Sequence, residues 1–427
     1  MSKDWKYRSR IADQQLKSKL SSAGAVLVQG PKWCGKSTTA LQIAGSSMML
    51  GSPQARRSAR ELVTTAPDFL LNGLTPRLFD EWQVVPELWD AIRFEVDNRR
   101  QTGQFILTGS AVPADTEKIY HTGTGRFAWL KMRTMSLWES EESTGDVSLE
   151  TLFGGQGKVF GHSRWQLQDI AYFLCRGGWP VTLQLTQKEA LQTAVNYLDA
   201  IVESDISQVD NTLRNPRRTR LLLRSLARLQ GSQAPMSTLR KDMAANDDDS
   251  LSEHTIASYL NALEKIFVVE DMPAWSVNLR SKTAIRTTAN RYFTDPSIAT
   301  AALGATSDKL MADIETLGLL FETMAMRDLR VYADAIDANV YHYRDKDGLE
   351  CDAVIERRDG TYGLVEIKLG GEYGVEQGKQ TLAKLAKKID TDKAGLPAFR
   401  MVLTAVGDYA LTAQNGTHIV PIGCLKP

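Results

Sequence analysis

A short apolar run, AGAVLVQG at residues 23–30, ends in glycine and leads into PKWCGKSTTALQIA, whose apolar positions recur at helical spacing. The pattern predicts a strand, a loop and a helix. In TPRLFDEWQVVPELWDAIR, apolar Leu78 and Phe79 are followed by two acids and then a helix, and QFILTGSAVP is a third strand ending in Thr108, Gly109 and Ser110. HTGTGRFAWLKMRTMSLWES follows, with apolar and aromatic residues between Arg126 and Arg133. After a break near GDVSLETLFGGQGKVFG, residues 160–230 read as helices: QLQDIAYFLCRGGWP, EALQTAVNYLDAIVESDISQV and TRLLLRSLARLQG, with Arg176 to Pro180 as the one sharp loop. Ser237 then opens a short helix, an acidic loop turns, Ser252 with Thr255 opens a second helix, and IFVVEDMPAW reads as a strand. Near the end, NVYHYRD, ECDAVIER and YGLVEIKLG alternate with turns, one of them a DG turn.

Composition narrows the class. With 427 residues the chain exceeds one ordinary core, and 43% hydrophobic against 24% charged residues describes a folded protein without low-complexity tracts. No apolar run approaches the roughly 20 residues of a membrane span, and MSKDWKYRSRIADQQLKSKL lacks the apolar core of a secretion signal. A cytoplasmic protein with no membrane partner is expected. Cys34, Cys175, Cys351 and Cys424 never form a C-x-x-C pair, which argues against a zinc site or a disulfide framework. Charge balances at 51 basic against 51 acidic residues, so a polyanion surface must come from clustering. The stretch from Asn211 to Lys241 has no acid but eight basic residues, Arg214, Arg217, Arg218, Arg220, Arg224, Arg228, Arg240 and Lys241. Because Leu221, Leu222, Leu223, Leu226 and Leu229 give its helix an inward face, the arginines read first as a solvated surface.

Gly30, Gly35, Lys36 and Ser37 satisfy G-x-x-x-x-G-K-[ST] between the strand and the helix that the motif requires. The loop of Gly30, Pro31, Lys32, Trp33, Cys34 and Gly35 is expected to wrap phosphates with backbone N–H groups, helped by the N-terminus of the helix that begins with Lys36, Ser37 and Thr38. Lys36 would reach the β and γ phosphates of ATP and Ser37 would ligate Mg²⁺. Asp80 is expected to hold the same ion and Glu81 to polarise the attacking water. Thr108 either senses the γ-phosphate or forms a turn, and Arg126 or Arg133 is a candidate to neutralise transition-state charge, in cis or from a neighbouring subunit.

In the last third, Glu366 and Lys368 share one face of a strand because side chains two apart point the same way, and Asp352 lies on the preceding strand. Two carboxylates beside a lysine suggest a divalent-metal site formed by Asp352 and Glu366, with Lys368 positioning water or stabilising charge. Glu322, in the helix LGLLFETMAMRDL, is the candidate fourth member.

Asp352, Glu366 and Lys368, as D-x(13)-E-x-K, resemble the core of the PD-(D/E)xK nuclease superfamily, with Glu322 in the place of its helical acid. The order GPKWCGKST, LFDEWQ, LTGS, GRFAWLKMRTMSLWES, GGWP, RYFTDPSIATAALG, LGLLFE, YHYRDKDGLECDAVIE and VEIKLG resembles the prokaryotic AAA-class ATP-binding proteins that end in a nuclease-like domain. The resemblance implies an α/β chain: a P-loop ATPase core over 1–160, a helical lid over 161–230, a winged-helix region over 231–300 and a restriction-endonuclease-like domain over 301–427. In the winged-helix region the second helix carries Glu253 and Glu264, which favours a protein contact over DNA reading. The superfamily's proline is absent here, Cys351 preceding Asp352. Two functions are compatible: an ATPase coupled to a nucleic-acid-directed nuclease, with DNA the first candidate, or a nucleotide switch whose nuclease-like domain is an inactive docking module for a partner. A P-loop regulator without a nucleic-acid partner is the third. Oligomerisation is compatible with each.

Overall fold

The structure is a computed structural model, and it describes residues 6–109, 123–155, 157–210, 212–244, 252–277, 287–389 and 391–427. The chain forms two compact units. The first comprises Met1–Thr134, Ala200–Asn215 and Ser258–Val268, and the second comprises Met135–Asp199, Pro216–Ala257 and Val269–Pro427. Among the described residues no helix is long and apolar enough to cross a membrane.

In the first unit, strands β1 (Ala25–Gln29), β2 (Ser46–Met49), β3 (Arg77–Asp80), β4 (Phe105–Gly109) and β5 (Phe127–Lys131) form one parallel sheet in the order β2-β3-β4-β1-β5. The period of two in a strand divides the apolar residues between the faces. Val26, Val28, Leu78, Ile106 and Leu130 pack with Ala12, Leu16 and Leu20 of helix α1 (Ile11–Ser22), beside the short helix α2 (Lys36–Leu41). Ala25, Leu27, Phe79, Phe105 and Leu107 pack with Trp89, Ile92 and Val96 of α3 (Leu88–Arg99). Central strands are therefore apolar on both sides, as a covered parallel sheet requires. Register aligns Val28, Asp80 and Thr108 across β1, β3 and β4, so the carboxyl ends of these strands share one edge. Ligands of open parallel sheets bind at that edge.

The second unit contains helices α4 (Leu167–Arg176), α5 (Gln187–Ala200, up to Asp199), α6 (Pro216–Arg228) and α7 (Met236–Met243), and the start of α8 (Glu253–Lys265). Strands β6 (Val269–Met272) and β7 (Asn290–Phe293) pair as an antiparallel ribbon, followed by α9 (Pro296–Leu303). The two helices and the strand expected between Ser237 and Trp275 are present, while the acidic loop lies outside the described residues.

A long helix, α10 (Ile314–Ala335), precedes the larger sheet, made of β8 (Ala338–Arg344), β9 (Glu350–Arg357), β10 (Tyr362–Lys368), β11 (Phe399–Thr404), β12 (Tyr409–Thr412) and β13 (His418–Pro421). Its order is β8-β9-β10-β11-β13-β12, with Gly161–His162 added at the β12 edge. Strands β8 to β10 are antiparallel neighbours, and β10, β11 and β13 run parallel. Helix α11 (Glu372–Lys388) crosses between β10 and β11, burying Leu382 and Leu385 against Val354, Leu364 and Val402.

A buried polar network joins distant parts of this unit. The backbone N–H of Gly178 donates to Asp295 Oδ2 at 2.9 Å, and Trp179 Nε1 donates to Ser297 Oγ at 2.9 Å. Gly177 is required there: it has φ +74°, and an added Cβ would lie 2.4 Å from Asp295 Oδ1. Arg327 lies between Asp295 (3.3 Å) and Asp328 (2.7 Å), and Asp328 accepts the N–H of Leu137 at 3.0 Å.

The division differs from the four consecutive segments expected with boundaries at 160, 230 and 300. Residues from Met135 onward belong to the second unit, where Val147–Ser148 pairs in parallel with Leu425–Lys426 and Leu137 reaches Asp328. Conversely, 200–215 and 258–268 pack into the first. Those partners lie far apart along the chain, and local patterning carries no trace of them.

Candidate nucleotide site and carboxylate–lysine cluster

The loop between β1 and α2 is fixed by sterics. A Cβ on Gly30 would sit 2.0 Å from the carbonyl oxygen of Met132, and Gly35 caps α2 with φ +104°. Only glycine meets both conditions. Trp33 adopts φ +64° and is 64% exposed, while Cys34 is buried, its thiol 3.7 Å from the Met132 carbonyl. Lys36 is buried at the first turn of α2 and donates to the carbonyls of Gly30 (2.9 Å) and Pro31 (2.7 Å). Its ammonium thus lies in the mouth of the loop.

Asp80 gathers the polar groups at the strand ends. Its Oδ1 accepts from Ser37 Oγ at 2.5 Å and from Thr108 Oγ1 at 2.6 Å. Thr108 is buried in register with Asp80 on the neighbouring strand, so its hydroxyl serves the acid. Thr38 follows Ser37, half-buried in the first turn of α2. Glu81 has φ +56°, which turns its side chain out of the strand direction, and it accepts from Gln83 Nε2. Ser110, at the end of the third strand-like run, lies outside the described residues. The oxygen donors of Ser37 and Asp80 beside a helix N-terminus fit a small hard cation such as Mg²⁺.

The two candidate arginines separate. The carbonyl of Arg126 accepts the N–H of Ala25 at the amino end of β1, and its guanidinium pairs with Asp97 at 2.8 Å. That pairing holds the Asp97 carboxyl below the usual carboxylate range. Parallel strands put Arg126 at the sheet edge opposite Gly30, so the fold does not bring it to the nucleotide loop in cis. Arg133 lies buried beyond the carboxyl end of β5, on the loop's side.

Two supports of the loop have no signature in the sequence. Arg10 is buried before α1 and donates to the carbonyls of Cys34 (2.7 Å) and Arg133 (2.9 Å), clamping the loop to the end of β5. Lys32 Nζ pairs with Asp205 Oδ1 at 2.7 Å, and Asp205 ends a π-helical turn, Ile201–Asp205. Such turns are rare and concentrate at functional sites. An arginine or aspartate in a helical run gives no hint of either partner.

Strand geometry assembles the second group. Antiparallel register opposes Ala353 to Val365, which brings Asp352 beside Glu366. Lys368 Nζ lies 2.8 Å from Glu366 Oε2 and 3.4 Å from Asp352 Oδ2, and Asp352 Oδ2 also accepts the N–H of Ile367 at 2.7 Å. Glu322, from α10, accepts from the Tyr292 hydroxyl at 2.7 Å, and Gly231 lies so close that a Cβ would come 2.5 Å from Glu322 Oε1. Lys368 thus contacts both Asp352 and Glu366, while Glu322 is close enough to feel the charges of Asp352, Lys368 and Glu366. Among the described residues no three His, Cys, Asp or Glu side chains are grouped so as to hold a metal ion.

Burial, and then the Asp352 charge, pushes Glu322 and Glu366 up to about 8. Burial works against the Lys368 ammonium, but Asp352 and Glu366 outweigh it and hold its pKa above the usual lysine value. In the unfolded chain the two glutamates return to an ordinary value of 4.5. Folding therefore takes up protons between those limits. The stabilisation is complete below pH 4.5 and is lost as pH rises toward about 8. Denaturant midpoints of the second unit should fall as pH rises through this window, and Glu322→Gln should flatten the profile. Equal slopes in the two proteins would contradict the assignment.

Residues 22–141 match the AAA domain family. Residues 167–309 and 317–425 match two families described as domains of unknown function, DUF8612 and DUF4143. Uncharacterized proteins of Mycobacterium bovis and Mycobacterium tuberculosis are each 23% identical over 416 residues, covering 96% of this chain and 83% of theirs. A solved Walker-type ATPase of Pyrococcus abyssi is 15% identical and covers 70% of this chain and 99% of its own, with a TM-score of 0.43. The AAA match and the arrangement of Lys36, Ser37 and Asp80 agree in making the N-terminal part of this chain a P-loop ATPase domain.

Proposed function

We propose that this chain binds and hydrolyses ATP with Mg²⁺ and uses its nucleotide state to govern a C-terminal domain directed at nucleic acid. The convergence of Ser37 and Thr108 on Asp80, at the mouth of a loop that holds Lys36, carries the ATPase part. Loop N–H groups and the first turn of α2 hold the phosphates, and Lys36 moves from the Gly30 and Pro31 carbonyls to the β and γ phosphates. Ser37 and Asp80 would hold Mg²⁺, which when bound neutralises charge developing on the phosphate oxygens. Thr108 fixes the Asp80 carboxylate in place. Glu81 must leave Gln83 to orient the attacking water, which makes that contact a restraint on hydrolysis.

For the C-terminal domain, the order helix, three antiparallel strands, helix, strand supports the likeness to PD-(D/E)xK nucleases, as do Asp352, Glu366 and Lys368 on adjoining strands. The carboxylates as arranged do not fit a metal shell, because Lys368 bridges Asp352 and Glu366. The same bridge favours the second reading, in which this domain docks a partner without cutting.

Supercoiled and linear DNA with Mg²⁺ or Mn²⁺, with and without ATP, separates the two readings when nicking and phosphate release are measured together. If Lys368→Ala stops nicking and leaves ATP hydrolysis intact, the coupled nuclease stands. Hydrolysis without any cutting selects the docking module.

A further inference from the structure

Helix α6 carries Arg217, Arg218, Arg220, Arg224 and Arg228 and no acid, while its Leu222, Leu223 and Leu226 are buried. It packs along α9, and between them lies a groove of about 440 Å³. Arg217, Arg220 and Arg224 line this groove together with Leu221, Ala301 and Ala302. The small alanines leave the depth, Leu221 adds to the apolar wall, and the guanidiniums follow one line of the helix. At 1.5 Å of rise per residue, these arginines are spaced by about 4.5 and about 6 Å along the axis. Arg220 pairs with Asp199 at 3.0 Å, both side chains about half exposed, and an exposed pair of this kind is weak enough for an entering anion to displace the carboxylate.

A ligand matched to this groove alternates anionic groups with flat, weakly polar faces. We infer that the groove between α6 and α9 binds single-stranded nucleic acid, with the phosphates on Arg217, Arg220 and Arg224 and a base against Leu221, Ala301 and Ala302. Guanidinium planes both pair with phosphate and stack on bases. A duplex is the poorer fit, because it is read by an element that protrudes into its groove, whereas this surface is concave. The inference rests on the nucleic-acid partner proposed above but not on ATP turnover or on cleavage.

Anisotropy of a labelled oligothymidylate, measured in EDTA, tests binding with hydrolysis and cutting both silent. The wild-type chain should bind it more tightly than a duplex of equal length. The double variant Arg217→Ala/Arg224→Ala should weaken binding by about tenfold or more and lower the salt slope by about 1.4, that is, about 0.7 for each phosphate no longer neutralised. Arg224→Lys keeps the charge and should remain within about threefold of wild type. Unaltered circular dichroism and phosphate release in these variants would show that the fold persists. Unchanged affinity in the double variant overturns the inference, as does preferential binding of the duplex. Displacement by polyglutamate at equal charge also overturns it, in favour of an acidic protein partner. Oligothymidylate binding without cutting would leave this site standing and sink only the nuclease reading, while loss of both phosphate release and cutting with binding intact would sink the function and spare the groove.

Discussion

Lys36→Ala should reduce phosphate release by about a hundredfold to a thousandfold, the scale set by removing one preorganised charge from a reacting phosphoryl group. The residue has no substitute in the loop: its ammonium is buried and already lies against Gly30 and Pro31. Lys32, the nearest other cation in the loop sequence, is committed to Asp205. Lys36→Met keeps the aliphatic packing and should lose the same activity, which separates charge from volume. Glu81→Gln should behave differently, retaining nucleotide binding while hydrolysis stops, because Glu81 is absent from the Ser37–Asp80–Thr108 group. Nucleotide binding followed by a fluorescent ATP analogue, beside phosphate release, distinguishes these outcomes. Wild-type turnover in Lys36→Met would remove the ATPase proposal.

The second large effect concerns stability. Arg327→Met should destabilise the second unit by about 3–5 kcal/mol, because it strands two carboxylates that have no access to water. Asp295 and Asp328 are each 0% exposed, and Arg327 is the cation that both contact. The methionine fills much of the space, so the loss is one of charge rather than of volume. Burial already pushes the Asp328 carboxyl up, with Arg327 opposing that rise. Without the arginine the acid should take up a proton and soften the cost at low pH. Urea unfolding at pH 7 and pH 5 measures both parts: a large loss at pH 7 that shrinks at pH 5. A loss below about 1 kcal/mol at pH 7 would mean that the network does not hold the unit together.

Much of this is legible from local pattern. The strand, loop and helix around Lys36 follow from an apolar run, two glycines and a helical period. Glu366 and Lys368 fall on one face because a strand repeats every two residues, and bringing Asp352 beside them needs only a hairpin between β9 and β10. Arg126 marks where local pattern stops. Its strand is visible in the sequence, but the direction of a strand within a sheet depends on its neighbours, and in a parallel sheet the first and last residues of one strand lie at opposite edges. Arg10 and Asp205 escape a sequence reading for a related reason. Their partners lie 24 and 173 positions away, and side-chain type alone cannot specify a contact at that range. GGWP and TDPS carry no evident chemistry as sequence. Their role comes from the bond between Gly178 and Asp295, with Arg327 beside it.

The first unit is assembled from three separated stretches, the last of which ends at Val268. During synthesis the residues of the ATP-binding sheet leave the ribosome first, while two of the segments that pack on them are still untranslated or inside the exit tunnel. Asp205 emerges ahead of Val268, so the partner of Lys32 arrives before the unit is complete. Maturation of the nucleotide-binding unit is therefore tied to the progress of elongation through the middle of the message, and truncating the chain after Thr134 would leave a sheet with part of its covering missing.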